Sequence, residues 1–558
     1  MGIVPANAMS RVYRDLVGLA NQYVAQKADK VYLSIAGITV ELKSRGSGTM
    51  VRKIAKKVMF QGTSSHVGKS ILTTAFCRIL KQDGYHVAPF KAQNMALNSY
   101  VTHSGGEIGR STVAQAEAAG ENPIVQMNPV LLKPTGNSCS QVILLGKSVG
   151  NYSASEYQNK YSQEAWSSVK KSLDFMETHY DVLVIEGAGS PAEVNLKKND
   201  IVNMRIAKEC RSPVFLIADI DRGGALASIV GTLELLEPEE RKLVKGLIIN
   251  KFRGDITLLE PALTFLEEHT GIPVLGVIPY LDKLGIDDED SVSLQEMPRN
   301  QIMHDVHIAI IQTPKISNFT DFDAFTHEPD VNVRFIQQGD LIGSPDLIIL
   351  PGSKNTTEDL LYLKRQGYDH DIKALAAKGI PVVGICGGYQ MLGEKVCDPL
   401  HVESSNDAVE GLGLMPYVTT MQGEKNTYQV EFNCEALPFL GMDFKGSHLK
   451  GYEIHMGETV LTHSAQSLFN IVRRSNQSVQ VQDGYINETH HIFGTYCHGI
   501  FDNDDLRRAI INALRKGKGL ETLPVQFRYR QYKESEFDRL ADTVRKHFDM
   551  KKFYEVLG

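Results

Sequence analysis

The sequence predicts an α/β protein built on two parallel sheets, and three observations lead there. Short, continuous apolar runs recur, each followed by a glycine-rich turn and a helix-like stretch: KVMFQGTSS at 57–65, DVLVIEGAGS at 181–190, SPVFLIADIDRGG at 212–224 and VKGLIINKF at 244–252. Runs of about four to eight apolar residues fit strands buried on both faces, and their alternation with helices fits parallel pairing. The pattern pauses over the acidic, polar stretch 281–301 and resumes with VHIAIIQ at 306–312, DLIILPGS at 346–353 and IPVVGICGG at 380–388. We therefore expect an N-terminal extension and linker over 1–57, one domain over 58–297, a second over 305–505 and a helical segment over 506–558.

Bulk properties narrow the class. A chain of 558 residues is too long for one core. Hydrophobic content of 42% and charged content of 22% are those of an ordinary soluble globular protein. A formal charge of −7 without a long basic run argues against a nucleic-acid partner. The seven cysteines (Cys77, Cys139, Cys210, Cys386, Cys397, Cys434 and Cys497) are scattered and form no C-x-x-C pair. That argues against a disulfide framework or a cysteine zinc site and fits a reducing cytoplasm. The chain opens without the apolar core of a signal peptide, and it contains no uncharged apolar run long enough to span a membrane. Oligomeric state is not legible.

The first chemical signature follows the apolar strand KVMF. Gly62-Thr63-Ser64-Ser65-His66-Val67-Gly68-Lys69-Ser70 precedes a helix-like stretch, so backbone N–H groups and a helix N-terminus converge as an anion cradle. It is a phosphate loop, one residue longer than the common G-x-x-x-x-G-K-S form. Gly62, Thr63, Gly68, Lys69 and Ser70 are expected to bind ATP or GTP, Lys69 at the β/γ-phosphates and the Ser70 hydroxyl at Mg²⁺. Glu186, at the end of the strand VLVIE, suits the same ion; Asp219 and Asp221, ending the next strand, are rival or additional ligands. Asn250, ending GLIIN, reads as a nucleobase contact or a turn former.

The second signature is Cys386 in VVGICGGYQMLG, where an apolar strand runs into a glycine-flanked turn and a helix. This is a nucleophile elbow with sulfur in place of oxygen: the glycines permit strained dihedrals, and the helix N-terminus favours thiolate. The Gly387 N–H can serve as one oxyanion donor, and Gly352 or Ser353, in LPGSKNT, as another. His498, in FGTYCHGIF, completes a Cys–His acyl-transfer pair. His455, in GYEIHMG, reads as a site residue or a core histidine, while Cys397, Cys434 and Cys497 read as structural.

With these motifs in hand, the second half resembles the class I, flavodoxin-like glutamine amidotransferase domain of the cobyric/cobyrinic acid synthase type, through LPGSKNT, GICGGYQMLG and GTYCHGIF. In the wider class a glutamate two residues after the histidine completes a triad. Here Gly499 and Ile500 follow His498, so what orients the imidazole is open. The first half resembles the dethiobiotin-synthetase-like ATPases, which share the lengthened loop and the E-G-A-G strand end. QGTSSHVGKS, PFKAQNMALNSYV (89–101), NPVLLKP (128–134), DIDRGG (219–224) and GYEIHMG together are most similar to the cobyric acid synthase branch.

That resemblance implies ATP- and Mg²⁺-dependent amidation of the b, d, e and g carboxylates of adenosylcobyrinic acid a,c-diamide. Glutamine would be the nitrogen source, and Lys91 and Lys133 would neutralise the carboxylate or the migrating phosphoryl. ATP converts the carboxylate, a poor acyl donor, into an acyl phosphate, and ammonia needs a sheltered passage from Cys386 to the phosphate loop. The alternatives are a cobyrinic acid a,c-diamide synthase and a regulatory ATPase with a degenerate glutaminase domain. Residues 1–43 resemble the C-terminal end of adenosylcobinamide kinase/guanylyltransferase without its nucleotide-binding part, so no kinase activity is expected of them.

Overall fold

The computed structural model describes residues 28, 31–35, 38–43, 54–136, 139–157, 161–282, 284–286 and 304–558. Most of the expected 1–57 extension and of the 281–301 linker lies outside these residues. Residues 1–54 group as a unit of their own, in which Val31–Ile35 and Ile38–Lys43 pair as an antiparallel hairpin.

The second unit, residues 55–558, contains both α/β halves. The first half is built on a six-stranded sheet in the order Val274–Pro279, Val244–Phe252, Val214–Asp219, Lys56–Gly62, Val182–Glu186, Val87–Phe90. Every pairing in it is parallel. Val182–Glu186 and Val214–Asp219 are buried along their whole length, as their unbroken apolar sequence requires. Because all strands end at one edge, the turns after residues 62, 186 and 219 gather there, where ligands of open α/β sheets bind. A four-stranded sheet accompanies it, in the order Lys147–Ser153, Cys139–Leu144, Val130–Gly136, Gln93–Met95.

The second sheet has twelve strands and is mixed, not purely parallel as expected. Val331–Ile336, Val306–Ile311, Leu347–Leu350, Val382–Ile385 and Ile492–Thr495 run parallel. The sheet then continues antiparallel through Gln477–Ile486, Gln466–Arg474 and Tyr417–Leu437, with Phe444–Leu461 beside the last. The reason is visible in Tyr417–Leu437, whose ends alternate buried and part-exposed residues. One-faced burial of that kind suits antiparallel ribbons, whereas the parallel strands are covered on both faces.

The C-terminal helices divide between the halves. Asp504–Gly517 buries Leu506, Ile510, Ile511 and Leu514 in the core of the second sheet. Tyr529–His547 and Met550–Leu557 return to the first half. There Phe553 and Phe548 pack on Phe76 at ring-centroid distances of 4.7 and 5.1 Å, and Arg78 pairs with Asp538 at 2.7 Å. Phe76 and Arg78 lie on the helix Lys69–Gln82 that begins at the phosphate loop, so the chain end braces that helix.

Residues 98–107 of the first half dock on the second. Ser99 N donates to Asn318 Oδ1 at 3.3 Å, Phe319 N to Asn98 Oδ1 at 3.3 Å and Thr427 Oγ1 to Gly105 O at 2.7 Å. The Tyr100 and Tyr452 rings meet at 5.2 Å. Among the described residues, no helix is long and apolar enough to cross a membrane.

Phe553→Ala should cost about 3–5 kcal/mol, the usual range for deleting a buried aromatic side chain. A urea titration of the full chain measures it; an unchanged midpoint would contradict the bracing role.

Candidate active site

At the phosphate loop, sterics dictate the glycines. Gly68 has φ 98°, and a Cβ on it would fall 2.1 Å from Asn250 Nδ2. On Gly62 a Cβ would fall 2.5 Å from Val67 Cγ2. Thr63 N donates to Ile217 O at 2.9 Å, and Asn250 Nδ2 donates to Val67 O at 2.8 Å, so Asn250 supports the loop from the neighbouring strand. Lys69 Nζ reaches Ser64 O at 2.9 Å and Gly189 O at 3.1 Å, spanning from the loop to the turn after Val182–Glu186.

Ser70 Oγ donates to Glu186 Oε1 at 2.8 Å, Lys91 Nζ lies 3.0 Å from the same oxygen, and Gln115 Nε2 donates to Oε2 at 2.5 Å. A hydroxyl and a buried carboxylate side by side are the hard oxygen donors that Mg²⁺ takes, together with phosphate oxygens. Asp219 is held by Lys251 at 2.8 Å, and Asp221 pairs with Arg253 at 3.2 Å, partly exposed. Ser70 and Glu186 are thus brought together, while Asp221 is engaged elsewhere. Among the described residues, no cluster of three or more His, Cys, Asp or Glu is arranged to hold a metal.

Cys386 joins the strand Val382–Ile385 to the helix Gly387–Leu392 at φ 51°, ψ −104°. A non-glycine residue in such a conformation stores about 1–3 kcal/mol, which the surroundings must enforce. They do so by close packing: a Cβ on Gly388 would meet Leu350 O at 2.0 Å, and one on Gly387 would meet Ser353 N at 2.7 Å. Cys386 N donates to Thr495 O at 2.8 Å, and Sγ lies 3.5 Å from Ile454 O.

His498 is buried beside this thiol, and Asp321 orients it. His498 Nδ1 lies 2.6 Å from Asp321 Oδ2, and Gly499 N donates to Asp321 Oδ1 at 3.0 Å. The Tyr452 ring stacks on the imidazole at 5.0 Å. With Nδ1 committed to a carboxylate, Nε2 is the nitrogen available to the sulfur. Burial opposes protonation of His498, but the negative charges of Asp321 and Cys386 outweigh it and push the pKa up to about 10. A cation there stabilises negative charge on sulfur.

Ile316 and Ser353 form an isolated bridge whose hydrogen bonds run from Ser317 N to Gly352 O and from Lys354 N to Lys315 O, both 2.9 Å. This turns the Ser353 amide toward Gly387, and Ser353 Oγ is fixed on Asp359 Oδ2 at 2.6 Å. Gly352 leaves room for the imidazole, since a Cβ on it would lie 3.0 Å from His498 Cε1. His455 lines the same pocket, stacked on Tyr496 at 3.8 Å with Nδ1 2.8 Å from Gly457 O.

The two lysines expected to act together are separated. Lys91 stands at Glu186, but Lys133 lines the thiol pocket with Lys354, Gln390, Glu403 and Lys425 of the second half. Lys133 Nζ lies 2.9 Å from Glu107 Oε1 and 2.8 Å from Ser99 Oγ, and Lys425 Nζ lies 2.6 Å from Glu107 Oε2. Burial pushes Lys133 down to about 8, Glu107 opposing and Lys425 adding to the shift. Glu107 is held well below the usual carboxylate range because its two lysines outweigh its burial. Glu403 is raised to about 7 by burial, against the pull of Lys354. The neighbours of Lys133 on the strand Val130–Gly136, Leu132 and Pro134, line a different cavity, which also reaches Gly189. One strand thus separates the two spaces.

The sequence model of the CobB/CobQ-like glutamine amidotransferase domain matches residues 307–506, and that of the CobQ/CobB/MinD/ParA nucleotide binding domain matches 58–293. A cobyric acid synthase of Moorella thermoacetica is 51% identical over 507 residues, covering 90% of this chain and 98% of that one. Another, of Pelotomaculum thermopropionicum, is 53% identical over 511 residues, covering 90% and 97%. The chain belongs to the cobyric acid synthase family. Its first half is accordingly a nucleotide-binding domain and its second a glutamine amidotransferase domain. Residues 1–42 match the cobinamide kinase / cobinamide phosphate guanyltransferase family.

Sequence reasoning missed Asp321, Glu107 and Lys425. Asp321 lies 177 residues before His498, in a short turn with a second acid nearby, and no spacing singles it out. The one available signal was negative: a histidine without its usual downstream glutamate must find a carboxylate elsewhere.

Asp321→Asn should lower glutaminase kcat/KM by about 10³ or more, as expected when an imidazole loses its orienting carboxylate. The folded-state pKa of His498 lies above its ordinary 6.5, so the stability contributed by its protonation is complete below pH 6.5 and is lost as pH rises through about 10. Tm measured against pH should therefore fall across that window in the parent chain and flatten in Asp321→Asn. Identical profiles would contradict the assignment.

Proposed function

We propose that this chain carries out the glutamine-dependent, ATP-driven amidation of its family in cobalamin biosynthesis, acting on the b, d, e and g carboxylates of adenosylcobyrinic acid a,c-diamide. The observation that carries this reading is the oriented Asp321–His498 pair beside Cys386, in a pocket closed on one side by Lys133 of the nucleotide-binding half.

In the second half, Cys386 Sγ attacks the glutamine amide carbon, and the N–H groups of Gly387 and Ser353 receive the developing oxyanion. His498 Nε2 delivers a proton to the departing nitrogen, so ammonia leaves and a thioester remains. Water activated by the same nitrogen then releases glutamate and restores the thiol. Asp321 keeps the imidazole in one orientation throughout.

In the first half, the loop 62–70 cradles the phosphates of ATP, with Lys69 at the β/γ-phosphates. Ser70 and Glu186 would hold Mg²⁺, which when bound neutralises charge on those phosphates. A corrinoid carboxylate oxygen attacks the γ-phosphorus and ADP leaves. Ammonia then attacks the acyl phosphate carbon and inorganic phosphate departs, leaving the amide. Lys91, whose Nζ lies 3.0 Å from Glu186 Oε1, would balance charge at that transfer. The passage of ammonia follows the boundary at Lys133. An intact thiol site weighs against a degenerate glutaminase, and free cysteines at all seven positions fit a reducing cytoplasm.

Cys386→Ala should abolish amide formation from glutamine while leaving synthesis from added ammonium salts close to the parent rate. Mass spectrometry of the corrinoid product, with ATP and either nitrogen source, reads both. Loss of the ammonia-supported reaction as well would contradict the division of labour.

A further inference from the structure

The thiol pocket carries charges that the attack on the amide does not use. Three lysines line it: Lys133, Lys354 and Lys425. Glu107 compensates two of them, lying 2.9 Å from Lys133 Nζ and 2.6 Å from Lys425 Nζ. Among the described residues, Lys354 Nζ has no hydrogen-bond or ion-pair partner. Burial, with Lys425 adding to it, pushes its pKa down. An ammonium withdrawn from water is costly to keep without a counter-charge. Glu403, which lines the same pocket, is its converse. Its Oε2 accepts from Thr356 N at 2.7 Å, and its Oε1 has no partner among the described residues. Lys354 and Glu403 act on each other's protonation, yet they do not pair.

One turn fixes both charges against the thiol. Ser353 directs its amide toward Gly387, and Lys354 follows it in the chain. Asn355 Nδ2 donates to Glu403 O at 2.8 Å, and Thr356 N holds the Glu403 carboxylate. Thr356 Oγ1 donates to Gln390 Oε1 at 2.7 Å, on the helix that Cys386 opens. Residues 353–356 therefore set one oxyanion donor, one open cation and one open carboxylate in a fixed relation to the sulfur.

Glutamine carries the matching groups: a carboxamide at one end, and an α-carboxylate and an α-ammonium on one carbon at the other. We propose that Lys354 pairs with the α-carboxylate of glutamine and Glu403 with its α-ammonium, so that the pocket accepts the free amino acid and rejects other carboxamides. The proposal rests on the amidation reading above and adds what makes the thiol selective. Selectivity is a chemical need here. The amides made by the nucleotide-binding half are primary carboxamides, like the glutamine side chain. A thiol that accepted any such group would hydrolyse the product. Corrinoid side-chain amides have no α-carboxylate and no α-ammonium, so they would leave Lys354 and Glu403 unpaired, and a site left with unpaired polar groups discriminates strongly.

The test measures ammonia release by the full chain, with ATP and cobyrinic acid a,c-diamide present, from glutamine and two analogues. Glutaminol has CH₂OH in place of the α-carboxylate; glutaramate lacks the α-ammonium. In the parent, each analogue should lower kcat/KM by about 10–100-fold, the worth of a hydrogen bond to a charged group. Lys354→Met should lose a similar factor on glutamine and should use glutamine and glutaminol equally, while still rejecting glutaramate. Glu403→Gln should do the reverse, using glutamine and glutaramate equally while still rejecting glutaminol. Damage to the fold lowers all three substrates alike and cannot produce this crossed pattern. Parent-like ratios in either variant, or no discrimination by the parent, would overturn the assignment and leave the amidation reading intact. A parent chain that released no ammonia from glutamine would overturn both.

Discussion

A carboxylate buried between two lysines holds the two reactions in register. Glu107, from the nucleotide-binding half, bonds Lys133 of its own half and Lys425 of the amidotransferase half. Buried ion pairs add little net stability over apolar packing, but removing one member of such a group costs about 3–5 kcal/mol because the remaining charge is stranded. The cluster therefore works as a registration device: the halves meet where Glu107 finds both cations, or they meet at a penalty. Around it, Asn98, Ser99, Tyr100 and Gly105 are bonded or packed to Asn318, Phe319, Tyr452 and Thr427. Tyr452 in turn stacks on His498, so the docking surface and the thiol pocket's imidazole share a residue.

That registration gives the segment 89–109 its meaning. Its start, Lys91, is bonded to Glu186 at the phosphate site, and its end, Glu107, is bonded to Lys425 at the thiol pocket. Between them, Gln93 and Met95 line the cavity that Leu132, Pro134 and Gly189 also line. A single stretch of chain thus reaches both the phosphate loop's carboxylate and the thiol pocket. The strand Val130–Gly136 stands between the thiol pocket and the cavity that reaches Gly189.

Local features were legible from the sequence. The phosphate loop announces itself because strand, glycine turn and helix are contiguous, and the steric demands at Gly62 and Gly68 are local too. The Cys386 elbow is legible for the same reason, as is the overall α/β class. What was not legible depends on pairing across long separations. Lys425 meets Glu107 across 318 residues, and nothing in either neighbourhood advertises the other. Lys91 and Lys133 look alike in sequence, yet strand alternation sends Lys133 into a different pocket. The antiparallel extension of the second sheet was missed because continuous apolar runs drew attention to the parallel strands, while half-buried ribbons such as Tyr417–Leu437 carry a weaker signal.

The central claim is that nitrogen passes from the thiol pocket to the phosphate site without entering bulk water. Glutamine labelled with ¹⁵N at its amide, supplied with ATP and corrinoid in an excess of unlabelled ammonium at neutral pH, distinguishes the possibilities by the isotope content of the new amides. Sheltered transfer predicts amides carrying predominantly ¹⁵N. Amides whose isotope content matches the mixed solution pool would contradict it.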